Sequence, residues 1–349
     1  MVKGIDRLVI WAHSECRSTA ALFSEAARQT AALGIDVRFC LWGMRPLPAE
    51  RTMPLPEAVR VGEDFDKGMS VLRESGGART VHVFCVYQNS AVWRRLIVAA
   101  KRSGARVVVN AEAPCEMCLG LRAWLKRLYY RWVLPWRVRS AVKAADLFIS
   151  SSGTSGMDRL ERLGWKREKI VPFGYASPRL EAAQGQLVPA SGTALRVLHL
   201  GGEAAYRGVR IAEKAVKLSG AELTKTGGRM GESELVEAIR RADVVVACGL
   251  CEPWGMRVND ALLEGTPVVV SDGMGAADVC DWYGCGCAVP KGDAKALAAV
   301  LTRCSEDRGF LAKLRAGAET AARELRPERR AGEWLRHVLG QEDIGRAGG

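Results

Sequence analysis

The chain has 349 residues, 48% of them apolar, with 51 basic and 39 acidic side chains and a net charge of +12. That length accommodates two domains with separate cores, and the composition excludes a disordered or fibrous chain. The charge calls for an anionic partner: nucleic acid, a phosphorylated ligand or an acidic membrane surface. No apolar stretch approaches the roughly 20 residues that a membrane-spanning helix needs. The N-terminal Met1–Arg7 run leads into a strand without the apolar segment of a signal peptide, so a cytoplasmic location is expected.

Taken in chain order, short β-branched runs alternate with longer amphipathic ones. The first half predicts strands at 8–12, 37–41, 81–87, 107–110, 147–150 and 170–172, with helices at 18–33, 90–103 and 154–163 among them. Residues 175–194, rich in Ala, Gly, Ser, Pro and Gln, read as a linker. The second half predicts strands at 196–200, 222–226, 244–248, 267–271 and 287–289, and helices at 207–218, 232–241, 255–263 and 294–302. A charged helical segment comes next at 310–339, broken by Pro327. Such alternation predicts an α/β fold of two doubly wound parallel sheets, with ligands bound at the carboxyl ends of their strands.

Eleven cysteines form no pattern that predicts a disulfide framework. Cys40, Cys85 and Cys248 sit in apolar strand-like runs, and buried free thiols are expected. The pairs Cys115/Cys118 and Cys248/Cys251 lie too far apart in the chain to predict a zinc site. Asp64-Phe65-Asp66 reads as a helix cap rather than a metal site.

The most informative run is 242–279. Glu252 comes after a strand at its carboxyl end, and Pro253, Trp254 and Gly255 open a helix whose N-terminal amides favour a phosphate. Asp260 lies two turns on, near the same face. Two carboxylates on the cleft side suit hydrogen-bond donors such as the hydroxyls of a ribose and a hexose. Upstream, Gly201-Gly202 precedes Tyr206-Arg207-Gly208, and Gly227-Gly228 forms a further glycine loop.

These motifs resemble the group-1 (family 4) glycosyltransferases of the GT-B fold. Glu252-Pro253-Trp254-Gly255 and Asp260-Ala261 match the family's E-x7-E element, and Gly265–Asp272 matches its G-T-P-V-V-x-S-D run. The resemblance covers the second half well and the first half in outline. It implies two Rossmann-like domains facing across a cleft. Residues 1–174 would bind the acceptor, 175–194 form the linker, 195–325 bind a nucleotide-sugar donor, and 326–349 form a C-terminal helix and tail returning to the first domain. Glu252 would contact the donor sugar, and the amides of Trp254, Gly255, Met256, Arg257 and Val258 its sugar and phosphates. Gly201, Gly202 and Gly227 would let the backbone approach the nucleotide. Arg207 replaces the family's phosphate-binding lysine, Arg257 stands near a missing partner arginine, and Asp260 holds the ribose position one methylene shorter than the usual glutamate.

Residues 117–145 contain no acidic side chain. Arg122, Lys126, Arg127 and Arg131 are interleaved there with Trp124 and Trp132 at helical spacing, ahead of Pro135, which interrupts the pattern. A basic helix with interfacial aromatics suits an anionic bilayer, here the inner face of the plasma membrane; the alternative is a core helix whose arginines extend to solvent. No nucleic-acid-binding motif is present, so no nucleic-acid partner is expected. His13 and Ser14 in the first strand-to-helix loop, and Glu112 after the 107–110 strand, are the acceptor-side candidates.

The reading is a metal-independent hexosyltransferase, in which Arg207 and helix amides stabilise the departing diphosphate without a cofactor. Its donor is a nucleotide-diphosphate sugar and its acceptor a lipid-linked compound or polysaccharide. The resemblance implies retention of configuration. A nucleotide-sugar epimerase of the same fold, or a non-catalytic sugar-nucleotide-binding protein, stays open.

Overall fold

The structure, a computed structural model, describes residues 4–43, 52–180, 194–202, 204–226 and 230–340. Gly227 and most of the expected linker lie outside these residues. The first sheet has seven parallel strands in the order β3-β2-β1-β4-β5-β6-β7. They are β1 (Arg7–Ala12), β2 (Asp36–Leu41), β3 (Val59–Arg60), β4 (Thr80–Phe84), β5 (Arg106–Ala111), β6 (Leu147–Ser150) and β7 (Ile170–Pro172). The second sheet has five, in the order β12-β11-β10-β8-β9. Its members are β8 (Arg196–His199), β9 (Glu222–Lys225), β10 (Val244–Ala247), β11 (Val268–Ser271) and β12 (Gly286–Val289).

Both sheets are covered by helices on each face, which is why their central strands are buried along their whole length rather than at alternate positions. All five residues of β4 and all four of β10 are buried. Side chains of β1 divide between two clusters: Leu8 and Ile10 pack with Phe23 of α1 (Arg17–Ala31), and Val9 and Trp11 with Trp93 of α3 (Ala91–Arg102). Trp11 also donates through Nε1 to His82 Nδ1 at 3.1 Å, and burial lowers that imidazole to a pKa of about 4, so it stays neutral.

Local signals place the helix starts. Asp64 caps α2 (Phe65–Ser75) by accepting from the Lys67 amide at 2.9 Å, the role expected of the Asp-Phe-Asp run. Pro327 opens α13 (Pro327–Leu339), where a missing N–H costs nothing, and so ends the preceding α12 (Arg308–Glu324). From there α13 packs on α1 and the first sheet. Trp334 Nε1 donates to Asn110 Oδ1 at 2.6 Å, and Arg106 Nε to the Val338 carbonyl at 2.9 Å.

Nothing in the sequence signals β3, which has only two residues and lies on a sheet edge. Pro135 does not interrupt its helix. A five-residue π turn, Tyr129–Val133, joins α4 (Gly120–Leu128) to α5 (Leu134–Ala144), and the proline sits in the first turn of α5. None of the described helices is long and apolar enough to cross a membrane.

Candidate active site

The carboxyl ends of both sheets face a common cleft. On the second-domain side, the loops after β8 and β10 touch. Gly208 has φ of +75°, and a Cβ there would lie 2.1 Å from the Cys248 carbonyl oxygen, so only glycine lets the two loops meet. This contact brings Arg207 beside Glu252. The Glu252 backbone is pinned in turn: its amide donates to the Gly273 carbonyl at 3.0 Å, and its carbonyl accepts from Gly275 N at 3.3 Å. Burial raises the pKa of its carboxyl, while the Arg207 guanidinium pulls it down.

Arg207 ends a short 3-10 turn, Ala205–Arg207. Its Nη1 donates to the Gly201 carbonyl at 2.8 Å, and its Nε is buried without a hydrogen-bond partner among the described residues. Gly202 beside it takes φ of +60°. Helix α9 (Met256–Leu263) starts from Gly255, whose φ is +109°; a Cβ there would meet Met274 Cε at 2.3 Å. The amides of Met256 and Arg257 belong to the first turn, where a helix lacks intrahelical acceptors. The Val258 amide, in contrast, already donates to the Gly255 carbonyl at 2.9 Å, and its side chain is fully buried. Val258 is therefore withdrawn from the expected set of free amides. Trp254 also points into the core: it is 1% exposed, and its Nε1 donates to Asn259 Oδ1 at 2.9 Å. Asp260 faces the cleft, accepts from Arg257 Nη1 at 3.1 Å, and has its pKa raised by burial against the pull of Arg257.

The cavity bounded by these groups measures about 790 Å³. Gly201, Arg207, Glu252, Gly255, Arg257 and Asp260 line it from the second domain, and Arg17, Ser18 and Glu112 from the first. Arg17 and Glu232 form an ion pair across it at 2.8 Å. A second cavity of about 590 Å³ adjoins it on the first-domain side and contains His13, Ser14, Tyr87, Asn110, Tyr129 and Tyr130. Glu112, Met117, Pro253 and Met256 border both. Glu112 remains open to solvent through the cleft, yet the surrounding walls raise its pKa, as does the nearby Glu252 charge; a hydrogen bond from Tyr175 opposes them. His13 lies at the rim against Trp42, with ring centroids 5.1 Å apart, and desolvation lowers its pKa.

Three features escaped the sequence. Tyr175, in the expected linker, reaches back to Glu112. Asn259 is fully buried and donates through Nδ2 to the Tyr175 carbonyl at 3.0 Å and Ser177 Oγ at 3.3 Å, tying α9 to the chain between the domains. Cys115 and Cys251 form a disulfide that links the domains, with Cα atoms 6.5 Å apart. The expectation of free thiols holds for the other nine cysteines and fails for this pair, whose members are 136 residues apart and meet only in the folded cleft. Their sulfurs and a carboxylate oxygen of Glu116 lie within 4.8 Å of one another, a grouping that could hold a metal ion only with both cysteines reduced.

The basic segment departs from the core-helix alternative. Among its residues Leu121 is 72%, Trp132 68% and Trp136 78% exposed, and Trp124, Leu125 and Val133 are also exposed. Arg122, Arg127 and Arg131 are exposed on the same segment, and Arg131 lies over the Trp132 ring. Lys126 is half-buried and donates to the Glu116 carbonyl at 2.6 Å.

Two parallel-sheet domains with a cleft between their carboxyl ends define the GT-B fold. Residues 202–324, most of the second domain, match the family model of the glycosyl transferases group 1. Among solved structures, a glycosyltransferase from Rickettsia africae is similar at a TM-score of 0.63 and 12% identity, covering 98% of this chain and 100% of that one. The lipopolysaccharide outer core galactosyltransferase WaaB is similar at 0.62 and 10%, covering 96% and 99%. HepE of Anabaena, solved in complex with UDP, is similar at 0.58 and 13%, covering 96% and 100%. At these identities the likeness is one of fold. No curated protein matches the chain.

Proposed function

We propose that this chain transfers a hexose from a nucleotide-diphosphate sugar to a lipid-linked or polysaccharide acceptor, without a metal and with retention of configuration. The observation that carries the reading is the convergence of Glu252, Arg207 and the first amides of α9 in one cleft. The diphosphate would lie between Arg207 and the Met256 and Arg257 amides, where a guanidinium and a helix N-terminus both favour negative charge. That charge grows as the sugar–phosphate bond breaks, so these groups stabilise the transition state more than the bound donor. Glu252 would orient the sugar hydroxyls and Asp260 the ribose. The acceptor would enter by the adjoining cavity, past Glu112.

The fold supports this reading, as do the match of residues 202–324 to the group-1 family model and the complex of HepE with UDP. Thermal-shift measurements with UDP-, GDP- and ADP-sugars test it. One nucleotide class should stabilise the wild type, by about 2.7 kcal/mol at a hundredfold excess over Kd, and should do so less in Glu252→Ala. No response to any of them would refute it.

The exposed aromatic and arginine side chains of α4 and α5 support peripheral attachment to an anionic bilayer. Tyr129 and Tyr130, in the turn between those helices, also line the cavity assigned to the acceptor, which would let a lipid-linked acceptor reach the cleft from the membrane.

A further inference from the structure

We propose that the Cys115–Cys251 bond is a redox-operated latch that holds the nucleotide cleft closed. The two cysteines come from opposite domains, and Cys251 immediately precedes Glu252, which lines the cleft. A disulfide restricts its Cα atoms to about 4.4–6.8 Å. At 6.5 Å the pair is near the upper end of that range, so the domains cannot part at this point while the bond is intact. Exchange of ligands in a cleft between two domains generally requires hinge opening.

Both ends of the link are anchored, so a pull on it reaches the domains rather than slack loops. On one side the Ala113 amide donates to Ser152 Oγ at 2.9 Å, Lys126 Nζ to the Glu116 carbonyl at 2.6 Å, and Arg127 Nε to Glu116 Oε1 at 3.2 Å. On the other, the Leu250 amide donates to the Tyr206 carbonyl at 2.7 Å and the Glu252 amide to Gly273 at 3.0 Å. The remaining ties across the cleft are non-covalent, such as Arg17–Glu232 and the hydrogen bonds from Thr154 to Asp278. These can break and re-form as the domains move.

Nine of the eleven cysteines are free, which is unlike the fully paired framework of a chain matured in an oxidising compartment. A single disulfide among free thiols fits the transient, redox-sensing kind. Closure proceeds by exchange with an external low-molecular-weight disulfide. The Cys251 thiolate attacks one sulfur and expels a thiolate; Cys115 then attacks the mixed disulfide at the Cys251 sulfur and expels the second. Two electrons pass to the reagent, which leaves as two thiols carrying the two protons. Opening is the reverse, with a dithiol as reductant and a cyclic disulfide as product.

The inference concerns the site assigned above and rests on that reading for its nucleotide arm, so the test has two arms. In the first, the full chain is equilibrated with oxidised glutathione or with dithiothreitol, and thiols are alkylated after denaturation. Nine should react in the oxidised chain and eleven in the reduced one, with Cys115 joined to Cys251 in the peptide map. Amide hydrogen exchange in segments 112–119 and 248–256 should be at least about tenfold slower in the oxidised chain. Cys115→Ser should exchange at the reduced rate under both conditions.

In the second arm, dissociation of the bound nucleoside diphosphate should be at least about tenfold faster after reduction, and this ratio should fall to about one in Cys115→Ser. Failure of every nucleotide to bind, with the exchange difference intact, would remove the donor reading and keep the latch. Eleven reactive thiols after oxidation, pairing of Cys115 with Cys118, equal exchange rates, or release of one equivalent of zinc on alkylation would each overturn the latch. The last would make Cys115, Glu116 and Cys251 metal ligands instead.

Discussion

Tyr175 donates its phenolic hydrogen to Glu112 Oε1 at 3.0 Å, joining the chain between the domains to the far wall of the cleft. Burial holds the pKa of the phenol well above its ordinary value, and the neighbouring Glu112 carboxylate raises it further. Both groups stay poised to bind hydroxyls, and Glu112 in turn feels the charge of Glu252 on the opposite domain. Carboxylates from the two domains thus face one shared space, which a sugar with several hydroxyls would fill.

Removing the guanidinium should weaken nucleotide binding more than it perturbs the fold. Arg207→Ala loses charge-assisted hydrogen bonds worth about 1.5–3 kcal/mol, so Kd for the nucleoside diphosphate should rise about 10- to 150-fold by calorimetry. Arg207→Lys should recover part of this loss, because the point charge remains while the fork is lost.

The raised carboxyl pKa values set a pH dependence. Glu112 and Asp260 hold their protons more tightly when folded than when unfolded. Between the ordinary carboxyl value near 4 and the raised one, the folded state binds more protons, so stability falls as pH rises through that window. Glu112→Gln removes one such group. Its melting temperature should exceed the wild type's at pH 7, and the gain should shrink as the pH is lowered towards 4. An advantage that grows on acidification would reverse the assignment.

Asn259→Ala leaves the buried Trp254 Nε1 without an acceptor and frees the Tyr175 carbonyl. Urea denaturation should register a loss of about 1–3 kcal/mol.

Vesicles rich in phosphatidylserine should sediment the chain, and neutral vesicles should not. Each of Arg122, Arg127 and Arg131 changed to Gln should cost about 1 kcal/mol of vesicle binding, and raised salt should act in the same direction. Trp132→Ser and Trp136→Ser should weaken binding without changing its salt dependence. Sedimentation that ignores both sets of changes would remove the membrane assignment.

Much of this architecture was legible because parallel strands buried on two faces are continuous runs such as Val244-Val245-Val246, and because Glu252-Pro253-Trp254-Gly255 comes directly after one of them. The register of Glu252 and Asp260 on the cleft came from that local order. What escaped depends on contacts distant in sequence. Tyr175 lies in a composition typical of a loop, and its meaning comes only from Glu112, 63 positions away. Cys115 and Cys251 look like ordinary thiols until the two domains face each other. Trp254 lies in the cavity wall as its place in the motif implies, but the burial of its ring was not legible: Gly174 lets the indole into the core, where a Cβ at that glycine would lie 2.3 Å from it. The solvent-facing apolar side of α4 could not be told from a core-facing one by periodicity alone.

Release of nucleoside diphosphate from the stabilising nucleotide sugar, measured for wild type and Glu252→Gln, decides whether this cleft transfers a sugar. Glu252→Gln should turn over at least about a hundredfold more slowly while still binding the nucleoside diphosphate. Equal turnover in the two proteins, or no release by the wild type with any acceptor despite tight binding, would contradict the assignment of this cleft to sugar transfer.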